Sequence, residues 1–158
     1  MRCSIAGSLE LIGDRWALLI VRDLLMRPTR FEDLRSSLDI PPATLATRLK
    51  RLEEAGLVVR SRYQERPPRD EYRLTPQGRD LWKVSIALRE WGDRWDTSGY
   101  GAPTIVVADR ETGRPLELAM VDRETGERVP PSRIELRPGP GAVESTHRLL
   151  ASRKGASR

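Results

Sequence analysis

A mainly α fold carrying a β-hairpin wing, followed by a small antiparallel β extension, is predicted by three features of the sequence. Residues up to Gly56 show helical apolar periodicity broken at Gly13-Asp14, Pro28 and Pro41-Pro42. Two strand-like runs, "LVVRSRY" and "DEYRL", follow directly and are close enough to pair as a hairpin. A further helix after them is apolar at heptad spacing, and beyond Gly99 the pattern changes to short strand-like runs.

Ile5, Leu9, Ile12 and Trp16 recur at helical spacing, and Asp14 is the expected N-cap of a second helix. That second stretch, "RWALLIVRDLLM", is apolar nearly all round and predicts the buried central helix. Pro28 ends it. Thr29 is expected to cap a short third helix through Phe31 and Leu34, and the prolines of "DIPPAT" stand where a fourth helix begins. In "TLATRLKRLEEAGL", Leu45, Leu49 and Leu52 form one stripe, while Ala43, Thr44, Thr47, Lys50 and Arg51 point away from it and Arg48 sits on the flank. Gly56 is the expected C-cap, and the hairpin strands are joined by "ERPPRDEY".

From Thr75-Pro76 one continuous helix is predicted, its apolar positions Leu81, Val84, Leu88, Trp91 and Trp95 stepping by three, four, three and four. This stripe either packs within its own domain or forms a homodimer seam with Ile5 and Leu9 of the first helix. The seam is favoured because so small a domain has little core left to cover two tryptophans. Further on, "TIVVAD", "PLELAMVD" and "RIELRP" read as strands, and Asp-Arg-Glu-Thr-Gly occurs at both 109–113 and 122–126 as a turn. The expected division is a helical domain with its hairpin and dimer stripe over 1–97, a β-rich extension over 98–141 and a mobile basic tail over 142–158.

Composition narrows the chemistry. At 158 residues there is room for one good core and a small appendage. The net charge of +5 favours an anionic partner, and apart from Lys50, Lys83 and Lys154 every basic side chain is an arginine. A GC-rich coding bias accounts for that excess as readily as recognition does. Cys3 and His147 are single, so neither an internal disulfide nor a Cys/His zinc site can be assembled within one chain, and no cofactor is predicted. The apolar run from Trp16 to Val21 is too short to span a bilayer, which reads as a cytoplasmic protein without a membrane partner.

Two helices joined by a short turn and followed by a two-stranded wing form a winged helix-turn-helix, whose second helix enters the major groove of double-stranded DNA. The fourth helix is then the reader, with Ala43, Thr44, Thr47, Arg48 and Arg51 as its candidate contacts, since arginine forks onto guanine and threonine meets a thymine methyl or a phosphate; the alternative is that they are merely solvated surface residues. Arg62, Arg66 and Arg69 are the candidate wing contacts, on a tip that prolines stiffen. The alternative is an exposed loop whose arginines pair with Glu65, Asp70 or Glu71.

The runs "CSIAGSLELIGDRWALLIVRDLL", "RFEDL", "LATRLKRLEEAGLVVR" and "PPRDEYRLTPQGRDL" resemble the HxlR family of winged-helix transcription regulators, relatives of the MarR group, over about residues 3 to 95. The resemblance implies a homodimer binding an inverted-repeat operator, with Arg30 in the position of the family's "RF" arginine against phosphate. Pro67, Pro68, Arg69, Glu71 and Tyr72 match its wing signature. Cys3 matches an N-terminal cysteine that in some members senses oxidants, quinones or aldehydes; lying ahead of a helix and beside Arg2, it has surroundings that favour the thiolate. An inert cysteine is the alternative. The extension is similar to a small zinc-ribbon-like β extension of some relatives, with the thiol ligands missing, so no metal is predicted.

The reading is therefore a DNA-binding transcriptional regulator, a homodimeric repressor answering to an oxidant or an unknown small-molecule effector; Trp16, Trp91 and Trp95 read more readily as core side chains than as the lining of an effector pocket between the dimer helices. The rival is a winged-helix module docking an acidic protein partner. An enzyme is the weakest option, since no nucleophile-base pair, phosphate-binding glycine loop or metal cluster is present in the sequence.

Overall fold

The computed structural model describes residues 3–67 and 69–154; Arg2 and Pro68, named above, and residues 155–158 of the tail lie outside the described residues. The chain forms two compact units, Cys3–Glu117 and a second beginning at Leu118.

The first unit opens with α1 (Ser4–Ile12) and α2 (Arg15–Met26). Asp14 caps α2 as expected, its Oδ1 accepting the N–H groups of Trp16 and Ala17 at 3.0 and 3.2 Å. Ala17, Ile20, Val21 and Leu24 of α2 are buried, and this helix touches α1, α3 (Phe31–Leu38), α4 (Pro42–Glu54), β2 (Arg69–Leu74) and α6 (Trp82–Arg94). It is the central helix. Thr29 does not cap α3: Arg30 holds that position without a side-chain bond, while the Thr29 hydroxyl donates to the Arg27 carbonyl. Its backbone is instead paired in both directions with Tyr72, at 3.1 and 2.8 Å, which turns Thr29 inward.

Asp39 adopts a left-handed conformation after α3, Ile40 is buried, and α4 starts with Pro42 in its first turn. Leu45, Leu49 and Leu52 are buried with Leu34 and Ile20, each such side chain contributing about 1.5–3 kcal/mol by leaving water. The C-cap of α4 is Ala55, with Gly56 one residue beyond at φ +70°. The Gly56 and Leu57 N–H groups bond the Glu53 and Leu52 carbonyls, both at 2.9 Å, closing the helix with a Schellman motif that feeds straight into the wing.

That wing is the antiparallel pair β1 (Val58–Gln64) and β2, in register from Val58↔Leu74 to Arg62↔Asp70, with an irregularity before Gln64↔Arg69. Val58, Tyr72 and Leu74 bury the face at its base. Beyond it, the single helix expected from Thr75 is two helices, α5 (Pro76–Asp80) and α6. The break has a packing cause. Gly78 lies so close to the hairpin that a Cβ there would sit 2.0 Å from the Leu57 carbonyl oxygen, and Thr75 Oγ1 donates to the Gly56 carbonyl at 2.7 Å. Helix α5 is bound to the wing, α6 runs along α2, and Leu81 forms the joint, packed against the core of its own chain.

Beyond residue 98 no strand forms among the described residues, and the β extension reduces to two turns, each closed by a single antiparallel bridge, Ala108↔Pro115 and Val121↔Arg128. Prolines at 103, 115, 130, 131, 138 and 140 remove the donors a longer ladder needs. The repeated pentapeptides are alike in detail. Oδ1 of Asp109 accepts from the Glu111 and Thr112 N–H groups, Oδ1 of Asp122 from those of Glu124 and Thr125, and Gly113 and Gly126 take positive φ. Where a mobile tail is expected, residues 144–154 form α7 (Glu144–Lys154), a segment free of glycine and proline with Arg148 3.7 Å from Glu144.

Candidate nucleic-acid interface

Helix α4 divides its side chains by face. The leucine stripe is buried, Ala43, Thr47 and Arg51 are exposed and Thr44 is half-buried. Thr47 Oγ1 donates to the Ala43 carbonyl at 2.8 Å, which steadies the rotamer of an outward hydroxyl. Among the described residues Arg51 makes no ion pair, and its guanidinium is open to a ligand.

Arg48 is different. Its Nε lies 3.0 Å from Oδ1 of Asp14 and the side chain is only 24% exposed, so this expected DNA contact has its charge engaged within the protein. No periodicity could have shown this pairing, because the two residues are brought together only when α4 packs on α2.

In the wing, Asp70 gathers two arginines. Arg60 donates to its Oδ2 from Nε at 2.9 Å and from a terminal nitrogen at 2.5 Å, and Arg62 donates to Oδ1 at 3.2 Å. The Arg60 hydrogen bond, reinforced by Arg62, holds the Asp70 carboxyl below the ordinary aspartate value. Arg62 is thus a clamped cation rather than a free one, and Glu65 lies 4.0 Å from it as well. Arg60 and Asp70 carried a usable signal: in the observed register Arg62 faces Asp70 directly and Arg60 is its diagonal neighbour. Arg66 and Arg69, at the tip, make no ion pair among the described residues and are exposed.

Arg30 stands over the ring of Tyr63, 4.9 Å from its centroid, so the residue preceding α3 is stacked on the wing. Tyr63, at the irregularity in β1, was not among the expected residues. The site brings Arg30, the wing and the outer face of α4 into one contiguous unit through the contacts of α4 with β1 and α3 with β2.

The expected dimer stripe is largely uncovered. Ile5 and Leu9 on α1, Val84, Leu88 and Trp91 on α6, and Trp95 at its C-cap are all exposed, Trp91 by 60% and Trp95 by 67%. Leu81 departs from the group, being partly buried against the core of its own chain. Cys3 is exposed at the N-cap position of α1 and its side chain makes no cap bond. A cavity of about 370 Å³ opens between α2 and α6, lined by Leu18, Arg22, Ser85, Leu88, Arg89 and Asp93 among others. Trp16, Trp91 and Trp95 do not line it.

An outward-facing helix in a helix-turn-helix, backed by a two-stranded wing, defines a winged helix-turn-helix protein of the DNA-binding kind. Residues 11–100 match the HxlR-like helix-turn-helix family, and the chain belongs to it. An HTH-type transcriptional regulator of Mycobacterium tuberculosis is 38% identical over 138 residues, 87% of each chain. Among solved structures, PA1607, assigned as a transcription factor, superposes with a TM-score of 0.72 at 32% identity, over 86% of this chain and 94% of that one. The redox regulator HypR in its oxidized form is 31% identical with a TM-score of 0.55, over 58% of this chain and 96% of its own. The protein is accordingly a transcriptional regulator with a helix-turn-helix DNA-binding fold. Among the described residues, no helix is long and apolar enough to cross a membrane.

Proposed function

We propose that the protein is a cytoplasmic homodimeric repressor that binds an inverted-repeat operator, reading bases with Ala43, Thr44, Thr47 and Arg51 of α4 and holding phosphate with Arg30, Arg66 and Arg69. The observation that carries this is the division of α4, whose inner face is all core and whose outer face is small, polar and cationic. Arg62 contributes through the clamped wing. The exposed stripe of α1 and α6 meets its copy in the partner, since two tryptophans, two leucines, an isoleucine and a valine exposed together are stabilised by leaving water.

Regulation by oxidants is supported by the exposure of Cys3 and by the likeness to a redox regulator. A peroxide would convert the thiol to a sulfenic acid with release of water, and a second thiol could condense with it to a disulfide across the dimer. The cavity between α2 and α6 offers an alternative seat for a small effector.

A mobility shift on the DNA flanking the protein's own gene, against unrelated competitor, with reductant or mild oxidant, tests the whole reading. A specific complex lost on oxidation in the native protein and retained in Cys3→Ser is expected. A specific complex indifferent to redox removes the thiol switch and leaves the small effector. Binding to no duplex, including those offered in a random pool, overturns the regulator in favour of a docking module.

A further inference from the structure

Arg48 lies on the reading helix, yet its charge is already committed. Its Nε, 3.0 Å from Asp14 Oδ1, is buried and makes no aligned hydrogen bond, so the attraction is that of an ion pair. The same Oδ1 accepts the Trp16 and Ala17 N–H groups, and one atom therefore both closes the start of α2 and holds α4. The link to α1 has no slack. Only Gly13 and Asp14 separate α1 from α2, the Gly13 N–H bonds the Leu9 carbonyl at 2.8 Å, and a Cβ on Gly13 would stand 2.3 Å from that oxygen. A shift of α1 must move Asp14, and with it the anchor of Arg48.

We infer that Arg48 is a positioning residue and not a DNA-reading one: its ion pair with Asp14 sets where α4 stands relative to the joint between α1 and α2. The inference rests on the DNA-binding reading above. To fork onto a guanine, Arg48 would have to give up this partly covered ion pair and leave Asp14 to its two backbone N–H bonds alone, which frees α4 from the start of α2. Held in place, it gives α1, the helix that carries Cys3 at its start, a direct mechanical path to the reading helix.

Asp14→Asn separates the two duties of that carboxylate, because asparagine caps a helix about as well as aspartate but carries no charge. Asp14→Asn, Arg48→Met, the double variant and Arg48→Lys are compared on a duplex selected from a random pool by the native protein, over a series of salt concentrations. Asp14→Asn and Arg48→Met are each expected to weaken specific binding about fivefold, and the double variant no further than either, as for two residues acting through one contact. Arg48→Lys keeps the charge and is expected to stay within about twofold of the native protein, and the salt slope is expected to be unchanged throughout. Simple electrostatics predicts the reverse for Asp14→Asn, which adds positive charge and should tighten binding to DNA.

Tighter or unchanged binding by Asp14→Asn, with a loss in Arg48→Met and a salt slope flatter by about 0.9 for each phosphate left unneutralised, would make Arg48 a phosphate contact and overturn the inference. Unaltered affinity in both, with only the unfolding temperature lowered, would reduce the pair to a stabilising contact and overturn it too. If the native protein selects no duplex, the regulator reading fails first and the inference with it.

Discussion

Two exposed arginines carry the sharpest expectations at the level of single residues. Arg51, outward on α4 and without an ion pair among the described residues, is placed to discriminate between bases. Arg51→Ala is expected to cost about 1–3 kcal/mol of specific binding and to relax the sequence preference, as a titration against operator and mutated operator would show. Arg66 at the wing tip is placed for phosphate. Arg66→Ala should weaken binding to all duplexes alike and flatten the salt slope by about 0.9 for each phosphate it neutralises, and a slope unchanged from the native protein would remove the wing tip from the interface. Gly78 bears on stability alone. A methyl group there would meet the Leu57 carbonyl at 2.0 Å, and since neither backbone can yield cheaply, Gly78→Ala is expected to destabilise by about 1–3 kcal/mol, read by denaturant unfolding. The outward character of Arg51 followed from the leucine stripe opposite it, whereas the inward commitment of Arg48 did not: the two lie about one turn apart on the same helix, and only the neighbour brought up by α2 distinguishes their fates.

Among the elements, the wing has a built-in electrostatic clamp. Asp70 has its proton affinity lowered by Arg60 and Arg62, so the clamp's contribution is complete above the unfolded aspartate value of about 4 and is lost as pH falls through the lower folded value. A carboxyl titration followed by NMR should therefore place Asp70 below free aspartate, and Asp70→Asn should abolish the wing's share of the acid sensitivity. The same substitution releases two arginines at once. Asp70→Asn is expected to steepen the salt dependence of DNA binding while loosening the wing, and an unaltered slope would show that Arg60 and Arg62 face away from phosphate. The turns at 109–113 and 122–126 share this acid sensitivity, because backbone N–H groups of Thr112 and Thr125 lower their aspartates in the same way. Element boundaries were legible wherever a local signal set them, as at Asp14, Pro42 and Gly56. They were not legible at Leu81, where an unbroken apolar rhythm conceals a joint imposed by the approach of Gly78 to the hairpin.

For the whole molecule, the decisive property is the uncovered apolar stripe of α1 and α6. Leu88→Glu and Trp91→Glu place a charge in the middle of the proposed seam, where burial without a partner is prohibitive. Each is expected to yield a folded monomer by sedimentation equilibrium and, because an inverted repeat is then held by one reading helix at a time, to weaken operator binding by at least about a hundredfold. A dimer that persists in both variants would move the interface elsewhere.

Sequence alone determined the helical order, the leucine core of α4, the hairpin, the aspartate-capped start of α2 and the family, because each is written in local periodicity, in capping residues or in a run of motifs. Tertiary structure alone decided which cations are free. Arg48 and Arg62 read in the sequence as DNA contacts, with pairing to Asp70 the alternative for Arg62, and folding brings a carboxylate to each and to Arg60: Asp14 across the packing of α2 on α4, and Asp70 across the hairpin. Charge is counted along a chain, but its availability is set by neighbours in space, since an ion pair depends on a few ångströms of separation and on how much water is left between its partners.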